Sequence, residues 1–275
     1  MKFPLKLLTL VALAAGLSAY QVVAESEEIF MGSVAMDVPF VMVKRLTPLT
    51  QYLSDKTGLK VSFRASPNLD SAANDLGSNF TQIAYLTPVA YLEAHGKLGA
   101  RPLVAPLTHG KSTFKLAVVV RQDSSIKTMQ DLRGKSFAFG DERAILQRAV
   151  VSGGGIKLEE FSQYAFINHL DNIAKAVLNQ DFDAGILKDT IADEYKSKGL
   201  RVIYSSQPLP SYVFAVSSKL PEKTAEKLRD ALLELKADTP DHKNILKELD
   251  QGYDGFTEAK DKDYDVIRKL VAPFR

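Results

Sequence analysis

The chain has 275 residues, of which 45% are hydrophobic and 25% are charged, so it can build one or two ordinary globular cores. Its formal net charge is only +2, and no basic run alternates with aromatic side chains, which argues against nucleic acid as a partner. The absence of cysteine excludes disulfides, thiolate metal sites, cysteine nucleophiles and lipid attachment at an N-terminal cysteine.

Residues 1–24 have the pattern of a cleavable signal peptide. Lys2 and Lys6 give a positive start, residues 7–19 form a short apolar run, and small residues precede Glu25. The apolar run is too short to cross a bilayer comfortably. We therefore expect export to a bacterial periplasm as a protein that is neither membrane-spanning nor a lipoprotein.

The first half of the chain alternates short apolar strands with segments of helical spacing. Strands are predicted at 29–34, 59–65 and 81–86, and helices at 40–56, at 69–76 and after Thr87-Pro88. Gly58 suits a helix C-terminus, and Pro48 predicts a kink or a second helix start. This order is typical of a mostly parallel sheet.

The second half continues the alternation. The predicted strands are 101–107, 114–121, 136–139, 181–187, 198–205 and 212–217, and the predicted helices are 129–132, 142–151, 172–178, 221–236, 245–249 and 264–270. Two segments, 108–112 and 207–210, are polar or contain proline and are predicted to cross between two units. We expect a two-lobe α/β fold, each lobe a mostly parallel sheet flanked by helices, with lobe one at 25–109 plus 211–275 and lobe two at 110–210. A cleft between such lobes binds small molecules by hinge closure.

The turn after the strand 136–139 is the first candidate binding site. There the chain passes through Gly140-Asp141 into a predicted helix, whose first N–H groups lack partners and favour anions. Ligands of open α/β sheets bind at such carboxyl ends of strands.

Enzyme chemistry finds little support in the sequence. There is no Gly-x-Ser-x-Gly motif, and Gly110-Lys111-Ser112 lacks the upstream glycine of a phosphate-binding loop. The histidines at 95, 109, 169 and 242 have no metal-ligand spacing. We expect no catalytic residue, no metal and no cofactor.

Five segments in order resemble the periplasmic phosphate/phosphite/phosphonate-binding proteins of ABC transporters. They are LTPLTQYLSDKTGLKV (46–61), IAYLTPVAYL (83–92), DLRGKSFAFGD (131–141), HLDNIAKAVLNQDFDAGIL (169–187) and GFTEAKDKDYDVIRKL (255–270). The resemblance implies a two-lobe solute-binding fold, a small anionic ligand, an ABC permease as partner and a monomer.

The resemblance also assigns cleft positions to this chain. Tyr85 would line the cleft and donate its hydroxyl, although a packed core tyrosine fits equally well. Thr87 either touches the ligand or caps the following helix. His169 matches the cleft histidine, with a structural hydrogen bond as the alternative, and Asp189 either matches an acidic position or caps a helix.

Two segments depart from the family pattern. A hydroxyl-rich turn is replaced by Glu142, Arg143 and Ala144, and the loop after the first strand contains Met36 and Asp37. Arg143 could attract an anion bidentately, or it is a solvated helix-start residue. The expected ligand-binding set is Met36, Asp37, Tyr85, Thr87, Asp141, Glu142, Arg143, Ala144, His169 and Asp189. The alternative function is a periplasmic sensing subunit that signals to a membrane receptor or histidine kinase about a different ligand.

Overall fold

The computed structural model describes residues 28–34, 39–66, 69–140, 142, 145–167 and 170–274. The expected signal segment, 1–24, lies outside these ranges. Within them, no helix is both long and apolar enough to span a bilayer.

Thirteen strands are described in these ranges. They are β1 (Ile29–Ser33), β2 (Val61–Phe63), β3 (Ile83–Leu86), β4 (Arg101–Thr108), β5 (Thr113–Phe114), β6 (Leu116–Arg121), β7 (Ser136–Phe139), β8 (Gln163–Phe166), β9 (Ala184–Lys188), β10 (Leu200–Ser205), β11 (Leu209–Pro210), β12 (Val213–Val216) and β13 (Tyr253–Glu258).

Helices cover both sheets. The α-helices in the described ranges are α1 (Pro39–Thr57), α2 (Leu69–Gly77), α3 (Pro88–Leu98), α4 (Ile145–Gly153), α5 (Leu170–Leu178), α6 (Asp189–Lys196), α7 (Glu222–Glu234), α8 (Pro240–Leu249) and α9 (Asp265–Val271). Short 3-10 turns occupy Met129–Leu132, Leu158–Glu160, Asp261–Tyr264 and Ala272–Phe274.

The strands form two large sheets and one small one. The first sheet has the order β13-β4-β12-β3-β1-β2, and the second has the order β10-β6-β9-β7-β8. β5 and β11 pair antiparallel with each other on the two connections between these sheets. The first sheet therefore takes its strands from both ends of the described chain, and the second takes its strands from the middle.

Both sheets are mixed: most strands of each sheet run in one direction, as expected, and a minority are reversed. β1 is parallel to β2 and β3, and β7 is parallel to β8 and β9. β12 returns antiparallel between β3 and β4, β13 is antiparallel to β4, and β6 is antiparallel to β9 and β10. β6 and β12 are each the first strand of their large sheet after a crossing between the sheets, and each is antiparallel to its neighbours.

Several local predictions differ from the structure. α1 continues through Pro48 as one helix, so no second helix begins there. α4 begins at Ile145 and not at Glu142, which lies in the preceding turn. The polar segment 108–112 predicts a flexible connection, but the backbones of Thr108 and Lys111 bond reciprocally across a tight turn, at 2.9 and 3.1 Å. β8 and β13 are absent from the sequence prediction.

The core is continuous between the two sheets. One buried cluster includes Leu86 and Tyr91 from the first unit, Val118 and Phe137 from the second, and Tyr264 before α9. α9 contacts both α3 and α4. Helix α9 therefore fills the space beside the connections and packs against both units.

Candidate functional site

The ten expected site residues lie, in the sequence, at or just after the carboxyl ends of β1, β3, β7, β8 and β9. Ser33 of β1 stands beside Tyr85 of β3, and β7 lies parallel between β8 and β9. Tyr85 lies in β3 itself, and the other nine residues follow one of these strands, at the end of the sheet where ligands bind in such folds. Of these residues, Met36, Asp37, Asp141, Arg143, Ala144 and His169 lie outside the described ranges, and four can be placed.

Tyr85 is a packed core residue in this structure. It is 1% exposed, and its ring contacts those of Tyr212 and Phe214 at centroid distances of 5.2 and 4.9 Å. Its hydroxyl lies 2.6 Å from the hydroxyl of Tyr253, and burial raises the pKa of Tyr85 well above its usual value. The hydroxyl is therefore already occupied by another side chain.

Thr87 caps α3. Its hydroxyl accepts a hydrogen bond from the backbone N–H of Ala90 at 3.2 Å, and Pro88 occupies the first helical position. This is the capping geometry that a threonine before proline favours. Of the two roles considered for Thr87, capping is the one the structure shows.

The turn between β7 and α4 is held by two side chains of the helix. Gln147 is 8% exposed, and its amide oxygen accepts from the N–H of Gly140 at 2.6 Å. Arg148 donates to the carbonyl of Glu142 at 2.9 Å, and the Glu142 side chain is exposed. Sequence reasoning missed both residues, although a glutamine on the apolar face of a helix is itself a signal for a buried hydrogen bond.

Asp189 joins the start of α6 to the start of β6. One carboxylate oxygen accepts from the N–H of Lys115 and the other from the N–H of Thr190, both at 3.0 Å. The Asp189 N–H in turn donates to the Lys115 carbonyl at 2.9 Å. A carboxylate in the first turn of a helix is also favoured by the helix dipole.

A lysine and an aspartate, Lys188 and Asp250, link the two sheets and are called here the cross-sheet pair. Lys188 ends β9 of the second sheet, and Asp250 follows α8 just before β13 of the first sheet. Their Nζ and Oδ2 atoms are 3.4 Å apart, and the side chains are 21% and 39% exposed. No local sequence pattern signals this contact, because the residues are 62 positions apart.

Two aromatic rings lie near the lysine of the cross-sheet pair. Lys188 Nζ lies 6.0 Å from the ring centroids of both Phe114 and Tyr253. Burial raises the pKa of Tyr212 and of Tyr253, and the nearby Asp250 carboxylate adds to the increase in both. The carboxyl ends of β3 and β9 are thus connected through Tyr85, Tyr253 and Lys188. Within the described ranges, no three His, Cys, Asp or Glu side chains group as a metal site would require.

Comparisons with known proteins identify the family of this chain. The family model described as "ABC transporter, phosphonate, periplasmic substrate-binding protein" matches residues 31–264. The chain is 25% identical over 244 residues to the phosphonates-binding periplasmic protein of Escherichia coli K12, with 82% of this chain and 70% of that protein covered. It is also 25% identical over 256 residues to the phosphate-import protein PhnD of Mycolicibacterium smegmatis, with 81% and 78% covered.

A solved structure shows the same fold. PhnD1 of Prochlorococcus marinus, in complex with methylphosphonate, superposes with a TM-score of 0.73 at 17% identity, covering 90% of this chain and 98% of that one. The expected class, a two-lobe α/β fold with helix-flanked sheets, is confirmed. Because the family model spans most of the sequence, the chain belongs to the periplasmic substrate-binding proteins of ABC phosphonate transporters.

Proposed function

We propose that the protein captures a small phosphorus oxyanion, such as an alkylphosphonate, phosphite or phosphate, and delivers it to an ABC permease. The observation that carries this proposal is the meeting of the β3 and β9 ends, from different sheets, around Tyr253 and the cross-sheet pair. Parallel strands direct their carboxyl ends to the binding crevice in such folds. The relatives named for phosphonate and phosphate supply the ligand class.

We also propose the lobe boundaries 25–109 plus 211–275 and 110–210. The support is that strands of the first sheet come from residues 29–108 and 213–258, whereas those of the second come from 116–205. Closure around the ligand would then bend the β5–β11 connections. The proposal also includes cleavage of the signal segment after residue 24, a periplasmic location and the absence of a lipid anchor. It further includes a monomeric state and no enzymatic role.

Within the cleft, we propose that the ligand contacts come mainly from the loops. Met36 and Asp37 follow β1, residues 141–144 follow β7, and His169 follows β8. Tyr85, Thr87 and Asp189 would support these loops, because their polar atoms already bond within the protein. Arg143 would supply a guanidinium in place of the missing hydroxyls.

A thermal-shift series tests the ligand class. The protein is heated with methylphosphonate, phosphite or phosphate, and with methanesulfonate, acetate and a neutral solute as controls. A ligand at a hundred times its dissociation constant adds about 2.7 kcal/mol of stability. Since about 1 kcal/mol moves the midpoint of a protein this large by roughly 2–4 °C, we expect a shift of several degrees with the phosphorus compounds alone. A shift with only sulfonate or carboxylate would contradict the proposed ligand.

Arg143→Ala tests the proposed cation of the β7–α4 turn. Removing a charge-assisted contact is expected to weaken methylphosphonate binding roughly ten- to a hundredfold by calorimetry. Lys97→Ala, at the exposed end of α3, is the matched loss of one positive charge and should leave the affinity unchanged. Equal affinities in both variants would remove Arg143 from the site.

A further inference from the structure

The cross-sheet pair is a loose ion pair at the place where the two sheets approach each other. Its Nζ–Oδ2 distance of 3.4 Å is longer than the roughly 2.7–2.9 Å of a tight charge-assisted hydrogen bond. The Asp250 carboxylate has a second bond, from the N–H of Gly252 to its Oδ1 at 2.9 Å. The aspartate is therefore fixed by its own turn, whereas the lysine reaches it from the other sheet.

Lys188 differs in its surroundings from two other cationic side chains of the second unit, Lys115 and Arg148. Lys115 is exposed, and Arg148 already donates to the Glu142 carbonyl. Lys188 keeps only 21% of its side chain exposed, beside Phe114 and Tyr253, which provide ring faces but no second negative charge. An ammonium ion that is partly removed from water gains from a closely placed anion.

The position of Lys188 also suits a ligand contact. It ends β9 and directly precedes α6, so it stands at a carboxyl strand end where ligands bind in this type of sheet. The acidic residues Asp37, Glu142 and Asp189 follow β1, β7 and β9 in the sequence, and their negative charges would repel an anion. A cation that comes from the second sheet and points toward the first would offset this repulsion inside a cleft.

We propose that the Lys188 ammonium binds the ligand's oxyanion, and that Asp250 is the counter-ion that the ligand displaces. This inference rests on the proposed function and adds a residue that the family resemblance did not assign. The Asp250 carboxylate occupies the place of a ligand oxygen when no ligand is bound. Binding exchanges one anionic partner of Lys188 for another.

The two members of the pair are expected to have opposite effects on affinity. Lys188→Gln removes the cation and should weaken methylphosphonate binding roughly ten- to a hundredfold. Lys188→Arg keeps the charge and should recover part of the loss. Asp250→Asn removes the competing carboxylate and should tighten binding roughly two- to tenfold, because the ligand no longer displaces an ion pair. If the pair only latched the two units together, both single variants would change the affinity in the same direction.

Isothermal titration calorimetry of these variants with methylphosphonate and with inorganic phosphate is the test. Lys198→Gln is the matched control, since Lys198 also pairs with a carboxylate, Glu194 at 2.7 Å, and lies 4.1 Å from the ring of Tyr195. α6 runs away from the β9 end, so Lys198 lies at the opposite sheet edge, and its loss should leave the affinity unchanged. Thermal unfolding of every variant confirms that it is folded.

The possible outcomes separate this inference from the proposed function. If the wild-type protein binds methylphosphonate and Lys188→Gln binds it equally well, Lys188 is not a ligand contact, although the function stands. Weaker binding in both Lys188→Gln and Asp250→Asn would replace the inference with a latch. If the wild type binds no phosphorus oxyanion, the function fails, and the variants are titrated with methanesulfonate. A loss in Lys188→Gln would then keep Lys188 as an anion contact, and no binding at all would overturn both.

Discussion

At the scale of single residues, the buried hydroxyl pair of Tyr85 and Tyr253 shows how the site is supported. The two oxygen atoms are 2.6 Å apart, and both side chains are almost fully buried. A hydroxyl that loses its partner in such a place remains desolvated without compensation, which costs more than the bond itself contributes. The pair therefore fixes the end of β3 relative to β13, and with it the turn that contains Asp250.

Replacing either tyrosine by phenylalanine should lower stability. We expect Tyr85→Phe and Tyr253→Phe each to cost about 1–3 kcal/mol, because each leaves the other hydroxyl without this partner. The double variant should cost less than the sum of the two, which urea denaturation can measure as a double-mutant cycle. Strict additivity would show that the hydroxyls do not interact. Methylphosphonate affinity should change little in Tyr85→Phe, and a tenfold loss would instead make Tyr85 a ligand contact.

At the scale of elements, close packing of β9 against α5 sets the position of Lys188. Gly185 lies in the middle of β9, and a Cβ placed there would come within 2.5 Å of Ile173 Cγ2 and 3.3 Å of the Ala138 carbonyl. Only a residue without a side chain lets the helix lie this near to the strand. A shift of β9 would move the lysine at its end away from Asp250.

Two glycine-to-alanine substitutions should therefore have opposite effects. Gly185→Ala should destabilise the protein by about 1–3 kcal/mol through overpacking. Gly96→Ala, at an exposed position of α3 where an added Cβ would meet no atom within 4 Å, should stabilise it by about 0.5–1 kcal/mol, because alanine is the better helix former. Thermal unfolding measures both changes. A stable Gly185→Ala variant would mean that α5 can move away from the sheet at little cost.

At the scale of the whole molecule, buried tyrosines set an alkaline limit to the stability of the protein. Burial raises the pKa of Tyr85, Tyr212, Tyr253 and Tyr264 above the ordinary value, and raises the pKa of Tyr52 to about 12. Tyr264 lies in the cluster that continues between the two sheets. Ionisation of this residue would therefore disturb packing in both units.

Stability should fall as the pH rises above about 10. Tyrosines in the unfolded chain lose their protons near that pH, whereas the buried ones keep theirs to higher pH. The unfolded state then binds fewer protons than the folded state, so a further rise in pH stabilises it relative to the folded state. Above about pH 10, each such tyrosine lowers the free energy of unfolding by up to ~1.4 kcal/mol per pH unit. Below about pH 10 it adds no pH dependence. Urea denaturation along an alkaline series measures the slope, which should be shallower in Tyr212→Phe. A flat profile, with tyrosinate absorbance appearing before unfolding, would contradict this prediction.

Much of the architecture follows from local sequence signals. The periodic apolar pattern, the glycine after α1 and the Thr87-Pro88 start of α3 predict most elements to within a few residues. These signals act within one turn or one strand, where neighbouring residues decide the backbone conformation. The five segments that resemble the family predict the family and the fold class, because both the segments and their order can be read directly from the sequence.

Only the tertiary structure decided the features that depend on contacts between residues far apart in the sequence. β13 escapes prediction, because its pairing with β4 supplies the hydrogen bonds and burial that its own sequence, YDGFTE, does not signal. Gln147 and Arg148 of α4 bond back to Gly140 and to the Glu142 carbonyl in the turn before the helix. The cross-sheet pair and the contact of Tyr85 with Tyr253 join residues 62 and 168 positions apart. The sequence by itself thus determined most of the elements, their order and the family. Folding alone brought these distant side chains together, since contact between them depends on how the sheets pack.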